Sequence, residues 1–402
     1  MSVPDTIAVQ APAASAVQRP SAWVRGPVWD GVWMLNALWL VPIALWLAHG
    51  YSDPEASPLD AFCFGLTALF WIGHRLGSTW LAYCTEAYRP LLRSEPVRFV
   101  LLPLLVTGAC FAIFLPPDDA LPWTRGERFV GMAILDYALV TYHFAAQHFG
   151  ALSLYRTRAE RARCAQTRRH DRIFALGVGG ALIFLADILA GAVAYPDLWI
   201  NRWLIPGWVA SNQDAIREAA MLVLFVATSF MLIAEARAPR RSLPRVLYIL
   251  GLAAMVTIAL QPRSLFLYVA IWTAQHWILA TGLASQTPGG EPAPASGNVR
   301  RVLHALNVRP WAVLLVLGTA SVLLLPLFEV EANLDLTGGA FYGDRIFGAA
   351  AEQLRTSSWV PGIVAIAFAT GFVHYLLDRN VFRMSDPRVR AAARGLLDPP
   401  RM

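Results

Sequence analysis

The chain has 402 residues, 56% of them hydrophobic and only 15% charged, with a mean hydropathy of +0.48. That is more apolar surface than one water-soluble core hides, which excludes an ordinary soluble protein and leaves lipid to cover the rest. The net charge of +6 does not point to nucleic acid, because the arginines fall in short clusters between apolar runs rather than along one stripe, and no lysine occurs.

In chain order, residues 1–26 are rich in Ala, Pro, Ser and Val and lack the basic start and apolar core of a signal peptide, so they read as a disordered tail. Helical spans of roughly 20 apolar residues are then expected at about ten places. They lie near Val32–His49, Asp60–Cys84, Val97–Leu115, Arg128–Tyr155, Ile173–Tyr195, Ala215–Glu235, Val246–Leu260, Ser264–Ser285, Ala312–Leu327 and Ser358–Asp378. Cys63, Cys84, Cys110 and Cys164 sit in or beside these runs without CxxC spacing, which argues against disulfides and thiolate metal sites.

Arginine marks every second loop. Arg89, Arg93 and Arg98 follow the second span; Arg156, Arg158, Arg161, Arg163, Arg168, Arg169 and Arg172 the fourth; Arg237, Arg240, Arg241 and Arg245 the sixth. Arg300, Arg301 and Arg309 follow the eighth, and Arg379, Arg383, Arg388, Arg390 and Arg394 the tenth, whereas intervening loops carry Asp118, Asp119, Glu329, Glu331 and Asp335. By the positive-inside rule both termini are expected in the cytoplasm. The expected fold class is therefore all-α, a polytopic transmembrane bundle of about ten helices. Its one integral-membrane domain would be residues 27–383, followed by a basic cytoplasmic tail, 384–402. Two outer loops, Pro196–Asp214 and Glu329–Ser357, bring Trp199, Trp203, Trp208, Phe341, Tyr342 and Phe347 to headgroup depth, and the Pro- and Gly-rich stretch Gln286–Asn298 reads as a linker.

Ionisable residues inside spans are costly and usually face a bundle interior. Here they are mostly histidine: His74, His143, His148, His276 and His374, on the second, fourth, eighth and tenth spans, which run in one direction. At ~1.5 Å per residue, His74, His148, His276 and His374 fall roughly 10 to 15 Å inside the cytoplasmic face, in one layer. His143 lies about 140° around its helix from His148 and becomes a fifth ligand only through a distortion such as a π-bulge. Neutral imidazoles suit Fe(II), with zinc and copper open. Asp378 shares a face with His374 and Asp136 with His143; Gln147 and Gln275 precede His148 and His276; these and Arg75 are the candidate outer partners. Asp187 and Glu218 are possible counter-charges for Arg75. His49, His170 and His304, at helix ends or in basic loops, need no special role.

HExxH, Walker A, GxSxG and convincing GxGxxG motifs are missing, as are desaturase histidine boxes. "AQHFGAL" around His148 resembles the HFG element of the bacterial Brp/Blh family of membrane β-carotene dioxygenases, and "GFVHYLLDRNVFR" around His374 is similar to that family's late histidine. "GHRLGSTW" around His74 and the segment around His276 occupy the places of its other histidine motifs. The resemblance implies a non-haem iron held by four histidines that cleaves a carotenoid with O₂. The leading expectation is a multi-pass oxygenase of a bacterial inner membrane, with membrane lipid, O₂ and a lipophilic substrate as partners. A b-type haem electron carrier, a proton-coupled transporter and a histidine-dependent acyltransferase are the rivals.

Overall fold

The computed structural model describes residues 22–51, 57–159, 164–194, 207–261, 267, 269–288, 294, 297–333 and 342–397. Every regular element among them is helical, and no strand occurs. The longer helices are α1 (Ala37–Ala48), α2 (Ile72–Cys84), α3 (Val97–Phe114), α4 (Arg125–Arg158), α5 (Ala165–Leu189) and α6 (Gln213–Ala236). They continue with α7 (Leu243–Ala259), α8 (Ala274–Gln286), α9 (Pro310–Glu329) and α10 (Val360–Val381). Six of these, α3, α4, α5, α6, α9 and α10, are long and apolar enough to cross a membrane. A seventh span is possible if α1 and the helix before it, Pro27–Met34, count together across their 53° bend. The chain is thus a helical membrane protein.

The first expected span, Val32–His49, is broken by a bend at which buried Asn36 donates to the Gln275 carbonyl (2.9 Å), joining the break to α8. The second is continuous from Pro58 to Cys84 but contains a π-helical turn, Thr67–Trp71, and α8 follows a similar turn, Val269–Thr273. Helix α4 has no such turn, so the distortion on which a ligand role for His143 was made to depend is absent. Its start is set by a capping box, in which Thr124 accepts from the Glu127 amide (3.2 Å) and Glu127 accepts in return from the Thr124 amide (2.8 Å).

Helix α2 is central, packed on α8, α9 and α10, while α4 packs on α10. Two glycines, one turn apart, permit its close approach. A Cβ at Gly73 would lie 2.9 Å from the Leu317 carbonyl oxygen of α9, and one at Gly77 3.1 Å from the Ala284 Cβ of α8. Small residues at this spacing are how helices in lipid gain van der Waals contact.

Not all the arginines that suggested topology are in open loops. Arg156 pairs with Asp171, Arg245 binds Asp171 at 2.5 Å and Glu235 at 3.0 Å, and all four side chains are buried. This network ties together the adjoining ends of α4, α5, α6 and α7. The outermost described segments also dock. The amides of Val24 and Arg25 donate to Asp30 (2.9 and 3.0 Å), and Val389, Ala392 and Leu396 of the expected C-terminal tail are buried. Trp199, Trp203 and Phe341 lie outside the described residues.

Candidate metal centre

Four histidines from four helices meet inside the bundle: His74 on α2, His143 on α4, His276 on α8 and His374 on α10. All are buried, none more than 7% exposed. Their rings form a closed circuit. His74 is 5.0 Å from His276 and 4.9 Å from His374; His143 is 4.9 Å from His276 and 4.8 Å from His374, measured between centroids. Across the circuit His276 and His374 are 6.4 Å apart. A regular tetrahedron would space every pair equally, so this array of rings is flattened.

The hydrogen bonds fix which nitrogen each ring offers. His74 Nδ1 donates to the Trp71 carbonyl, in the π-helical turn, where the widened helix departs from its regular ladder. His276 Nδ1 donates to the side-chain oxygen of Gln147. His374 Nδ1 lies 3.1 Å from Ser78 Oγ, and the Ser78 hydroxyl is also bonded to the Asp378 carboxylate. A carboxylate only accepts, so Ser78 donates to Asp378 and its oxygen accepts from His374 Nδ1–H. In each case the proton is on Nδ1 and the lone pair on Nε2. Outer partners that hold the tautomer and orient the ring in this way are what metal-ligating histidines require.

What the rings present inward matches. Nε2 of His143, His276 and His374 is buried with no hydrogen-bond partner. Bare buried nitrogens are expensive unless something binds them, and a bound cation is one way to satisfy them. One donor atom from each of His74, His276 and His374 lies within 4.8 Å of the others, and the same holds for His143, His374 and Asp378. These groups are therefore able to hold a metal ion.

His148, expected in the same layer, is placed elsewhere. Its Nδ1 is 2.7 Å from the Tyr248 hydroxyl on α7, and its ring fills the space over Gly179 of α5, where a Cβ would approach to 2.6 Å. Beside it is a cavity of about 10 Å³, enough for one water, lined also by Gln275. With α4 regular, its rotation brings His143 to the centre and turns His148 away. A signal for this was present: Asp136, His143 and Gln147 recur at i, i+7 and i+11, one polar stripe that omits His148.

The other expected partners divide. Gln147 accepts from His276 and Asp378 lies near His143 (3.7 Å) and His374 (3.6 Å) without a hydrogen bond to either, whereas Gln275 faces the cavity with His148. Asp136 accepts from Tyr375 OH (3.1 Å), and the Tyr375 ring is 4.9 Å from His143. A Cβ on Gly371 would meet both Asp136 (3.6 Å) and Arg75 (3.7 Å), so these side chains converge there. Asp187 instead bonds Tyr137, and Glu218 is exposed. Sequence reasoning missed Ser78, which shares the face of His74 one turn on, and Phe144, stacked on His276 at 3.9 Å. Trp277 lies against His74 at 6.0 Å. Aromatic faces thus enclose the imidazoles and lower the local dielectric.

The chain matches no model of a known protein family, no curated protein and no solved structure. Fold and site by themselves define a helical membrane protein with buried histidine groups suited to a metal ion.

Proposed function

We propose that this protein is an integral-membrane, iron-dependent oxygenase acting on a lipophilic substrate, with His74, His143, His276 and His374 as the ligands. The observation that carries the reading is the flattened circuit of four imidazoles, three of which, His143, His276 and His374, keep a bare, buried Nε2. Structural zinc favours a closed tetrahedron, whereas a redox metal that must also meet O₂ needs open positions. Iron, when bound, supplies the electron transfer that O₂ chemistry requires. The chain's own part is to hold the rings by Trp71, Gln147 and Ser78 and to shield them from water with Phe144 and Trp277. Substrate would enter from the bilayer. The similarity to Brp/Blh carotenoid dioxygenases suggests a carotenoid or other isoprenoid, with a lipid chain as the alternative.

The finer topology belongs to this proposal: about ten helices in a bacterial inner membrane, both termini cytoplasmic, and the histidine-bearing helices parallel. A b-type haem is disfavoured, because the pair with the wider spacing, His276 and His374 at 6.4 Å, has the His74 and His143 rings within 5.0 Å of both, where a porphyrin between them would lie. Metal analysis of the detergent-purified chain tests the reading. One iron per chain is expected, and protein that stays iron-free after anaerobic reconstitution would refute it.

A further inference from the structure

Asp378 stands where neither of its histidine neighbours needs it as a hydrogen-bond partner. It is one turn after His374 on α10, and its side chain is 12% exposed. Its Oδ1 is 3.6 Å from His374 Nδ1, too long for a hydrogen bond, and that nitrogen already has Ser78 at 3.1 Å. Its Oδ2 is 3.7 Å from His143 Nε2, again too long, and that nitrogen has no other partner. Two ligand atoms each ~2.1 Å from one ion are separated by about 3.0 to 3.4 Å at square to tetrahedral angles. The 3.7 Å gap between Oδ2 and Nε2 is close to that spacing and fits ligands awaiting a shared ion better than a broken hydrogen bond. Asp378 also forms a candidate ion-binding group with His143 and His374 in its own right.

We infer that Asp378 supplies a carboxylate ligand to the ion held by the histidines, making the centre four imidazoles and one carboxylate. This rests on the metal-centre reading above. Charge favours it. Four neutral imidazoles leave a divalent ion's charge uncompensated in an apolar bundle, and one carboxylate halves it. Geometry allows it, since Oδ2 of Asp378 lies 3.7 Å from the partnerless Nε2 of His143. The Ser78 hydroxyl then orients the carboxylate through one oxygen and leaves the other for the ion. Five protein ligands leave a single position of an octahedral ion for an exogenous molecule.

The test is Co(II) titration of the full-length, metal-stripped protein in detergent, read by the visible d–d band, whose intensity rises as coordination number falls. Wild type is expected to give the weak band of five or more ligands. Asp378→Asn and Asp378→Ala should strengthen and shift that band and raise the Co(II) Kd by at least about tenfold, the floor for losing a group that merely orients a ligand. Asp378→Glu should restore binding with a shifted band. If either substitution leaves the band at its wild-type position and intensity while His276→Ala abolishes it, Asp378 is not a ligand, whatever happens to affinity. Should Asp378→Asn or Asp378→Ala fail to fold, Asp378→Glu alone decides, because a lengthened ligand must move the band and a bystander must not. Wild type that takes up neither Co(II) nor Fe(II) overturns the metal centre itself, a failure distinct from that of Asp378.

Discussion

His143 and His148 are five residues apart on one regular helix, and only one of them reaches the centre. The consequence is a sharp contrast between neighbouring substitutions. His143→Ala should lose the metal, whereas His148→Ala should keep it and lose mainly packing against Gly179 and the bond to Tyr248; metal content of the two purified variants, compared by mass spectrometry, decides. Gln147 contributes at one remove. Gln147→Leu keeps the volume but removes the acceptor for His276 Nδ1, so metal affinity should fall about 10- to 100-fold without loss of the fold. An unchanged affinity would mean that the His276 ring is held by packing against Phe144 alone.

Helix identity was legible from apolar runs, and histidines at similar depth could be listed from the sequence, because rise per residue is nearly constant. Rotation was not. A 140° separation between His143 and His148 follows from helical geometry, but which side faces inward depends on what α10 and α8 present, and that is not local information. The polar stripe of Asp136, His143 and Gln147 held the clue, while depth alone favours His148, which lies level with His74, His276 and His374. The π-helical turns before His74 and His276 were also illegible, since their sequences, TALFW and VAIWT, read as ordinary apolar helix. Helix α2 shows how tightly that packing constrains sequence. At Gly73 the neighbour is a backbone carbonyl of α9, which cannot rotate away as a side chain can. Gly73→Ala should therefore push α2 and α9 apart, costing about 1 to 3 kcal/mol as overpacking does. Gly108→Ala, which meets nothing within 4 Å, is the control, and thermal unfolding in detergent should separate the two.

At the scale of the whole molecule, arginine has two uses that the sequence does not distinguish. Arg156 and Arg245 lie at helix ends where topology signals belong, yet both are buried against Asp171 and Glu235. Removing one partner strands the others' charge, so Asp171→Asn should destabilise by about 3 to 5 kcal/mol, more than substitution of any exposed arginine. Orientation in the membrane still rests on the arginines around this network, in particular those between α4 and α5. Cys164 is exposed at the start of α5, within that arginine-rich stretch, whereas Cys63 and Cys110 are buried and Cys84 is partly so. A membrane-impermeant maleimide added to intact spheroplasts should thus leave Cys164 unlabelled, and permeabilisation should expose it, with Cys164→Ser abolishing the signal. Labelling from outside would invert the bundle. The ends of α2, α4, α8 and α10 assigned to the cytoplasm would then face outward, while the histidine circuit, which depends on contacts rather than on direction, would stand.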